Sequence, residues 1–360
     1  MKPLRIGIDA RELLGETTGT GRYLGELLQR WIGRSDADAR RFVLYTPESL
    51  TLSFVGTETR VLGGGRGTLW EQTTLRRAVL QDKPDVFFAP AYTAPLALAI
   101  PLAVAIHDVS FSRHPEWFSW REGTRRHWIT RSAARRAGVI LTFSQFSSRE
   151  IQDVYEVPES RIEVVSHGVS RPPAGNDLPR QPLVLYAGSI FNRRRLPDLI
   201  AAFALTVRSV PDAQLVIVGS DRTLPRQDLA AVAAAHGVGD RVLFRRYVPD
   251  AELGSLYATA SAFAFLSEYE GFGLTPLEAL AAGVPVVALD TPVAREVYGD
   301  AAVLVRAGDI DGTADALTRL LTVPEAAAAQ LARAPQILAR YSWDDAAART
   351  LAAIERIVAR

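Results

Sequence analysis

Two glutamates, Glu270 and Glu278, stand with seven residues between them in EYEGFGLTPLEALAAGVPVVA, one on each side of a glycine-rich bend that leads into an Ala-rich helical pattern. Glycines on either side of Phe272 let the backbone approach a ligand closely, and a helix N-terminus just beyond offers N–H groups and a favourable dipole to an anion. Thr275, Pro276 and Glu278 also fit N-cap, N1 and N3 of that helix, a capping box that gives Glu278 a structural role as good as a ligand-binding one. No local cap requires Glu270, which is either a site carboxylate or a solvated one. Arg193, Arg194 and Arg195 follow the apolar run LVLYAGS, where a diphosphate could take charge-assisted, bidentate hydrogen bonds. A solvated basic turn is the alternative. Gly188 and Ser189 add close backbone approach and a hydroxyl. His107 and Asp108 end a buried apolar run, as an ordinary turn or as groups at a strand's carboxyl end. Gly19-Thr20-Gly21 reads as a turn after the first strand, able to offer backbone N–H groups.

These residues need elements to hold them. LRIGID, RFVLYT, DVFFA, LAVAI, VILTF and IEVVS read as strands, alternating with helical patterns at YLGELLQRW, around Trp70 to Leu80, from about Gly123 to Ala137, and at SQFSSREIQDVY. In the first of these helices Tyr23, Leu24, Leu27, Leu28 and Trp31 share a face. RPPAGNDLPRQP, with four prolines and no periodicity, reads as a linker. Beyond it LVLYAGS, QLVIVG, VLFRRY, AFAFL, PVVALD and AVLV alternate with three further helices. The expected fold class is α/β: two Rossmann-like domains facing across a cleft. The expected limits are 1–172, a linker at 173–182, 183–340, and a closing helix at 341–360 that packs back toward the first domain. Ser342 or Asp344 caps that helix.

Composition excludes several classes of chemistry. The 360 residues carry a formal net charge of +1, which gives no electrostatic case for nucleic-acid binding. There is no cysteine, so disulfides, thiolate catalysis and cysteine zinc sites are absent. Neither G-x-G-x-x-G nor GxxxxGK[ST] occurs, and the glycines at 63, 64, 65 and 67 have no lysine behind them. No histidine spacing suits a metal, and no Asp-x-Asp ends a strand. The first residues lack a signal-peptide pattern, and TAPLALAIPLAVAIH, broken by prolines, reads as a buried strand with its approach loop.

The chain resembles the family-4 retaining, nucleotide-sugar-dependent glycosyltransferases of the GT-B fold, and its mannosyltransferase-like members in particular. The resemblance rests on GIDARELLGETTGTGRYLGELL, LWEQTTLRRAVLQDKPDVFFAP, VAIHDVSFSRHPEWF, LYAGSIFNRRRLPDLIAAF and the E-x7-E stretch, in that order along nearly the whole chain. It implies that Glu270 contacts the transferred sugar and Glu278 the nucleotide ribose, with Phe272, Gly273, Leu274 and Thr275 beside sugar and diphosphate. It implies that His107 positions the donor sugar and that Gly21 nears the diphosphate. Arg193 and Arg194 stand where the family carries an Arg-Lys pair. Ser189 departs from the arginine common after that glycine, and Arg195 replaces a frequent asparagine, so the diphosphate contact is expected without a fixed geometry.

The expected activity is retaining hexosyl transfer, best read as mannose from GDP-mannose, to a glycan or lipid-diphosphate-linked acceptor hydroxyl. His107, Glu270 and Arg194 are the expected catalytic groups. No cofactor or metal is expected, the nucleotide sugar being a substrate. Arg245, Arg246 and Tyr247 end VLFRRY, and their backbone groups are candidate contacts to the base. Tyr247 reads equally as packing. A same-fold phosphorylase or epimerase, or a non-catalytic carbohydrate-binding protein, is the alternative. Trp117, Phe118, Trp120 and Trp128 among Arg121, Arg125, Arg126, Arg131, Arg135 and Arg136 read either as a packed helix or as a contact with an anionic membrane. The expected location is cytoplasmic, at the inner face of such a membrane where that contact is made.

Overall fold

The computed structural model describes residues 2–15, 19–52, 54–171 and 179–358. The chain divides into two compact units, residues 1–168 with 342–360, and residues 169–341. Most of the expected linker, 173–178, lies outside the described residues, and Gln181, placed in the linker from its prolines, already begins a strand.

The first unit holds seven strands: β1 (Leu4–Asp9), β2 (Arg40–Thr46), β3 (Glu58–Val61), β4 (Val86–Ala89), β5 (Leu102–Ala105), β6 (Val139–Thr142) and β7 (Ile162–Val164). All pair in parallel, in the order β3-β2-β1-β4-β5-β6-β7. The central strands are apolar runs buried on both faces, as a parallel sheet covered by helices requires. Helix Gly19–Ile32 lays Tyr23, Leu24, Leu27, Leu28 and Trp31 against the core with essentially no exposure. Each of the three leucines there contributes roughly 1.5–3 kcal/mol of apolar burial. The last helix, Trp343–Arg356, belongs to this unit. Ser342 caps it by accepting from the backbone N–H groups of Asp344 and Asp345. Trp31 Nε1 donates to the Ala347 carbonyl at 2.8 Å, and Arg40 pairs with Glu355 at 2.5 Å. Gly168 admits Trp343: a Cβ at Gly168 would stand 2.2 Å from the Trp343 nitrogen.

The second unit holds β8 (Gln181–Ala187), β9 (Gln214–Val218), β10 (Val242–Arg245), β11 (Ala260–Phe265), β12 (Val286–Leu289) and β13 (Ala302–Val305). These also pair in parallel, in the order β10-β9-β8-β11-β12-β13. Order reverses at β8, so the loops after β8 and β11, on adjacent strands, open at the switch point where ligands of doubly wound sheets bind. The carboxyl end of β8 leads to the three arginines, that of β11 to Glu270.

Candidate active site

The loop after β8 turns through Gly188 (φ +147°) and Ser189 into a short turn of 3₁₀ helix, Asn192–Arg194. Arg193 and Arg194 are buried there, not solvated. Arg193 lies over the Phe191 ring at 4.5 Å, and Arg194 over the Phe265 ring at 4.7 Å. A guanidinium on an aromatic face keeps its edge free for in-plane hydrogen bonds. Arg194 Nη1 meets Glu270 Oε1, an ion pair whose side chains are only 11% and 14% exposed. The Ser267 hydroxyl donates to the same Glu270 oxygen at 2.6 Å. Ser189 is half-buried, its carbonyl accepting from the Tyr186 hydroxyl at 2.9 Å.

Arg195 takes another direction. It adopts a left-handed backbone (φ +49°) ahead of helix Leu196–Ser209, and its guanidinium pairs with Asp198 at 2.5 Å and with Glu268. Arg194 thus pairs with Glu270 of the E-x7-E motif, and Arg195 with Glu268 just before it.

The capping box expected at Thr275, Pro276 and Glu278 does not form. The helix spans Leu274–Ala281, its N-cap is Gly273 at φ +81°, and no side chain caps it. Thr275 and Pro276 are therefore N2 and N3, where a proline still fits because first-turn N–H groups lack helical partners. Glu278 sits a full turn in, buried, released from the cap role. Leu274 and Thr275 supply the first-turn N–H groups. Phe272 is buried edge-on to Tyr341, with ring centroids 5.2 Å apart. Tyr247 joins none of these hydrogen bonds: it is 56% exposed, beyond the end of edge strand β10.

In the first unit, Gly21 is not in a turn. It is the third residue of helix Gly19–Ile32 and is buried, so its N–H belongs to that helix's open first turn. His107 follows β5 and packs tilted on Phe143 at 4.6 Å and edge-on to Tyr23 at 5.5 Å. Its Nε2 lies 2.8 Å from the Pro90 carbonyl, which can only accept. The proton is therefore on Nε2 and the lone pair on Nδ1. Burial pushes the ring's pKa down to about 4, so His107 acts as a neutral hydrogen-bond acceptor and not as a cation. His167, stacked on Phe143 at 3.9 Å, is held well below the usual value by burial and by its neighbour His107.

Several residues here escaped a reading of the sequence. Ser267, three residues before Glu270, orients the carboxylate, and its only signal is that spacing. In the first unit Arg11 bridges Asp9 at 2.6 Å and Glu71 at 2.5 Å. Thr93 also donates to Glu71 at 2.6 Å, and Gln72 does so at the same distance. Glu71 opens a π-helical turn, Glu71–Leu75, inside the LWEQ stretch. Among the described residues no group of three or more His, Asp or Glu side chains is placed to hold a metal ion.

Two family descriptions match the chain, "Glycosyltransferase Family 4" over residues 19–171 and "Glycosyl transferases group 1" over 173–336. A GDP-mannose-dependent alpha-(1-6)-phosphatidylinositol monomannoside mannosyltransferase of Mycolicibacterium smegmatis is 30% identical over 296 residues, covering 74% of this chain and 75% of the relative. O-antigen chain mannosyltransferase B of Escherichia coli is 28% identical over 289 residues, covering 76% of this chain and 74% of the relative. The sucrose-phosphate synthase of Thermosynechococcus elongatus superposes with a TM-score of 0.79 over 99% of both chains at 18% identity, which establishes the two-Rossmann GT-B fold. With Glu270 and Arg194 at the head of the E-x7-E helix and relatives matched along most of their length, the chain belongs to the family-4 glycosyltransferases and is mannosyltransferase-like.

Proposed function

We propose that the protein transfers a mannosyl unit from GDP-mannose, with retention of anomeric configuration and without a metal, to a hydroxyl of a glycan or lipid-linked saccharide. The observation that carries this reading is the meeting of Arg194, Glu270 and Ser267 beside the open N-terminus of helix Leu274–Ala281. In the reaction the C1–O bond to the diphosphate breaks and a C1–O bond to the acceptor forms on the same face, and the acceptor proton passes to the departing phosphate oxygen. Negative charge grows on that diphosphate, where Arg194, with Arg193 beside it, and the first-turn N–H groups stabilise it. Glu270 takes sugar hydroxyls, sharing Arg194 with the phosphate, and buried Glu278 takes the ribose. In the first unit, neutral His107 keeps Nδ1 as a hydrogen-bond acceptor suited to a hydroxyl.

Mannose is supported by the names of both relatives above, and GDP by the name of the Mycolicibacterium smegmatis relative. Any ribonucleotide satisfies Glu278, so the base is selected elsewhere, by the backbone at Arg245 to Tyr247. Incubation with a panel of nucleotide sugars, with and without glycan acceptors, tests the reading. Acceptor-dependent GDP release from GDP-mannose is expected. Preferential release of UDP from UDP-sugars overturns the donor assignment, and no release from any donor overturns the transferase reading.

A membrane-linked acceptor at the cytoplasmic face is favoured by helix Trp120–Arg136. Trp120 (79% exposed) and Trp128 (59%) lie two turns apart on one stripe. Arg126 pairs with Glu122, and Arg131 and Arg135 pair with Glu156. Arg121 and Arg125 flank the stripe and have no ion pair among the described residues. Each such cation near an anionic surface contributes about 1 kcal/mol. No helix among the described residues is long and apolar enough to cross a membrane, so this contact would be peripheral. Co-sedimentation with anionic but not neutral liposomes, lost in W120A/W128A, is expected; equal recovery with both retracts the contact.

A further inference from the structure

Tyr298 follows helix Pro292–Val297, which starts with Pro292 at N1 and is capped by the Thr291 hydroxyl accepting from the Ala294 N–H at 3.2 Å. The helix end fixes the tyrosine: the Tyr298 N–H donates to the Ala294 carbonyl at 2.9 Å. Its side chain is buried, and its hydroxyl donates to the Gly273 carbonyl at 2.8 Å, with the Phe272 carbonyl 3.4 Å away. Burial holds the phenol's pKa well above its usual value, so the hydroxyl stays a donor. A second tyrosine braces the same segment from behind. Tyr341 donates its hydroxyl to the Val297 carbonyl at 3.0 Å and lies edge-on against Phe272.

Gly273 shows how tightly this support fits. Its φ of +81° already disfavours any other residue, and a Cβ there would stand 1.9 Å from the Tyr298 hydroxyl and 3.7 Å from Glu270 Cγ. The bend, the phenol and the sugar-binding carboxylate are thus packed as one body. No side chain caps the helix that begins at Leu274, and the Tyr298 hydrogen bond to the Gly273 carbonyl ties its N-cap residue to the end of helix Pro292–Val297.

We infer that Tyr298 is a positioning residue for donor binding: by holding the Gly273 carbonyl it fixes the Gly271–Gly273 bend, and with it the N–H groups that meet the diphosphate beside Glu270. The inference rests on the donor site proposed above. Tyr298 touches no substrate atom and acts only through the bend. Its contribution therefore enters as preorganisation, which shows in affinity for the nucleotide end and not for the acceptor.

Calorimetric titration of GDP into the wild type, Y298F, G273A and Y298F/G273A tests this. The phenylalanine removes one oxygen and keeps the ring packing, so Y298F is expected to fold and to bind GDP about tenfold more weakly, about 1.4 kcal/mol. Its KM for GDP-mannose rises in step while its KM for acceptor is unchanged, a split that a merely structural loss of stability does not produce. G273A is expected to bind worst. In the double variant the clashing oxygen is gone, so Y298F/G273A should bind GDP more tightly than G273A alone. A Y298F Kd within twofold of the wild type, or a double variant that is weaker than G273A, overturns the positioning role while leaving the transferase reading intact. Failure of the wild type to bind any nucleoside diphosphate overturns both.

Discussion

Replacing Arg194 by Met keeps most of the apolar contact with the Phe265 ring and deletes the charge that faces Glu270. What remains is a carboxylate only 14% exposed, held by one hydroxyl, that of Ser267. Breaking one side of a fully buried ion pair costs about 3–5 kcal/mol. Partial exposure and the retained Ser267 bond lower this to about 2–3 kcal/mol. For a unit the size of residues 169–341, each kcal/mol moves the melting temperature by about 2–4 °C, so R194M should melt roughly 5–10 °C below the wild type. E270Q leaves a neutral acceptor for the guanidinium and should cost about 1 kcal/mol. Once the carboxylate is gone, losing the arginine matters less, so R194M/E270Q should be more stable than R194M alone. Differential scanning fluorimetry and urea titration of the four proteins measure this coupling. Additive losses, or an R194M melting temperature equal to that of the wild type, would refute the claim that the two side chains form one buried pair.

Other expectations follow from the first unit. His107 has its pKa lowered to about 4 and His167 is lowered as well, so the unfolded chain binds more protons than the folded one below about pH 6.5. Their stabilisation is complete above pH 6.5 and is lost as pH falls toward 4. The urea midpoint should drop between pH 7.5 and 5, and more steeply in the wild type than in H107F; identical slopes would argue against a buried neutral pair. G168A drives a Cβ to within 2.2 Å of the Trp343 backbone. It should loosen helix Trp343–Arg356 and speed amide exchange there before the rest of the unit, and unchanged protection would contradict that packing.

Much of the fold was legible because its strands are short apolar runs, buried on both faces, between helices with clear amphipathic stripes. Strand β3 was not, since all four residues of ETRV are exposed at the sheet edge and carry no hydrophobic pattern. The start of the E-x7-E helix was misread for a local reason: Pro276 suits N1, but the left-handed backbone of Gly273 lets the helix begin two residues earlier. Gly19 to Gly21 was likewise read as a turn because glycine is a poor helix former, and packing of the face that starts at Tyr23 overrides that preference. Within the site, residue identities were legible and their pairing was not. Arg194 meets a carboxylate 76 positions away, Arg195 one 73 positions away, and Arg11 one 60 positions away. Three adjacent arginines look alike in the sequence. They separate only when β8 and β11 lie side by side and Phe265 and Phe191 offer ring faces to two of them.

The central claim is that Glu270 serves the transferred sugar while Arg194 serves the diphosphate, and Glu270→Ala separates the two most directly. Initial rates of nucleoside diphosphate release with acceptor, set beside the calorimetric Kd for GDP, give both halves on one protein. Turnover should fall on the order of 100-fold, about 2.7 kcal/mol of lost transition-state stabilisation. GDP should bind as well as before or more tightly, because Arg194 no longer shares its hydrogen bonds with the carboxylate. Turnover within about threefold of the wild type, or a loss confined to GDP affinity, would contradict the account.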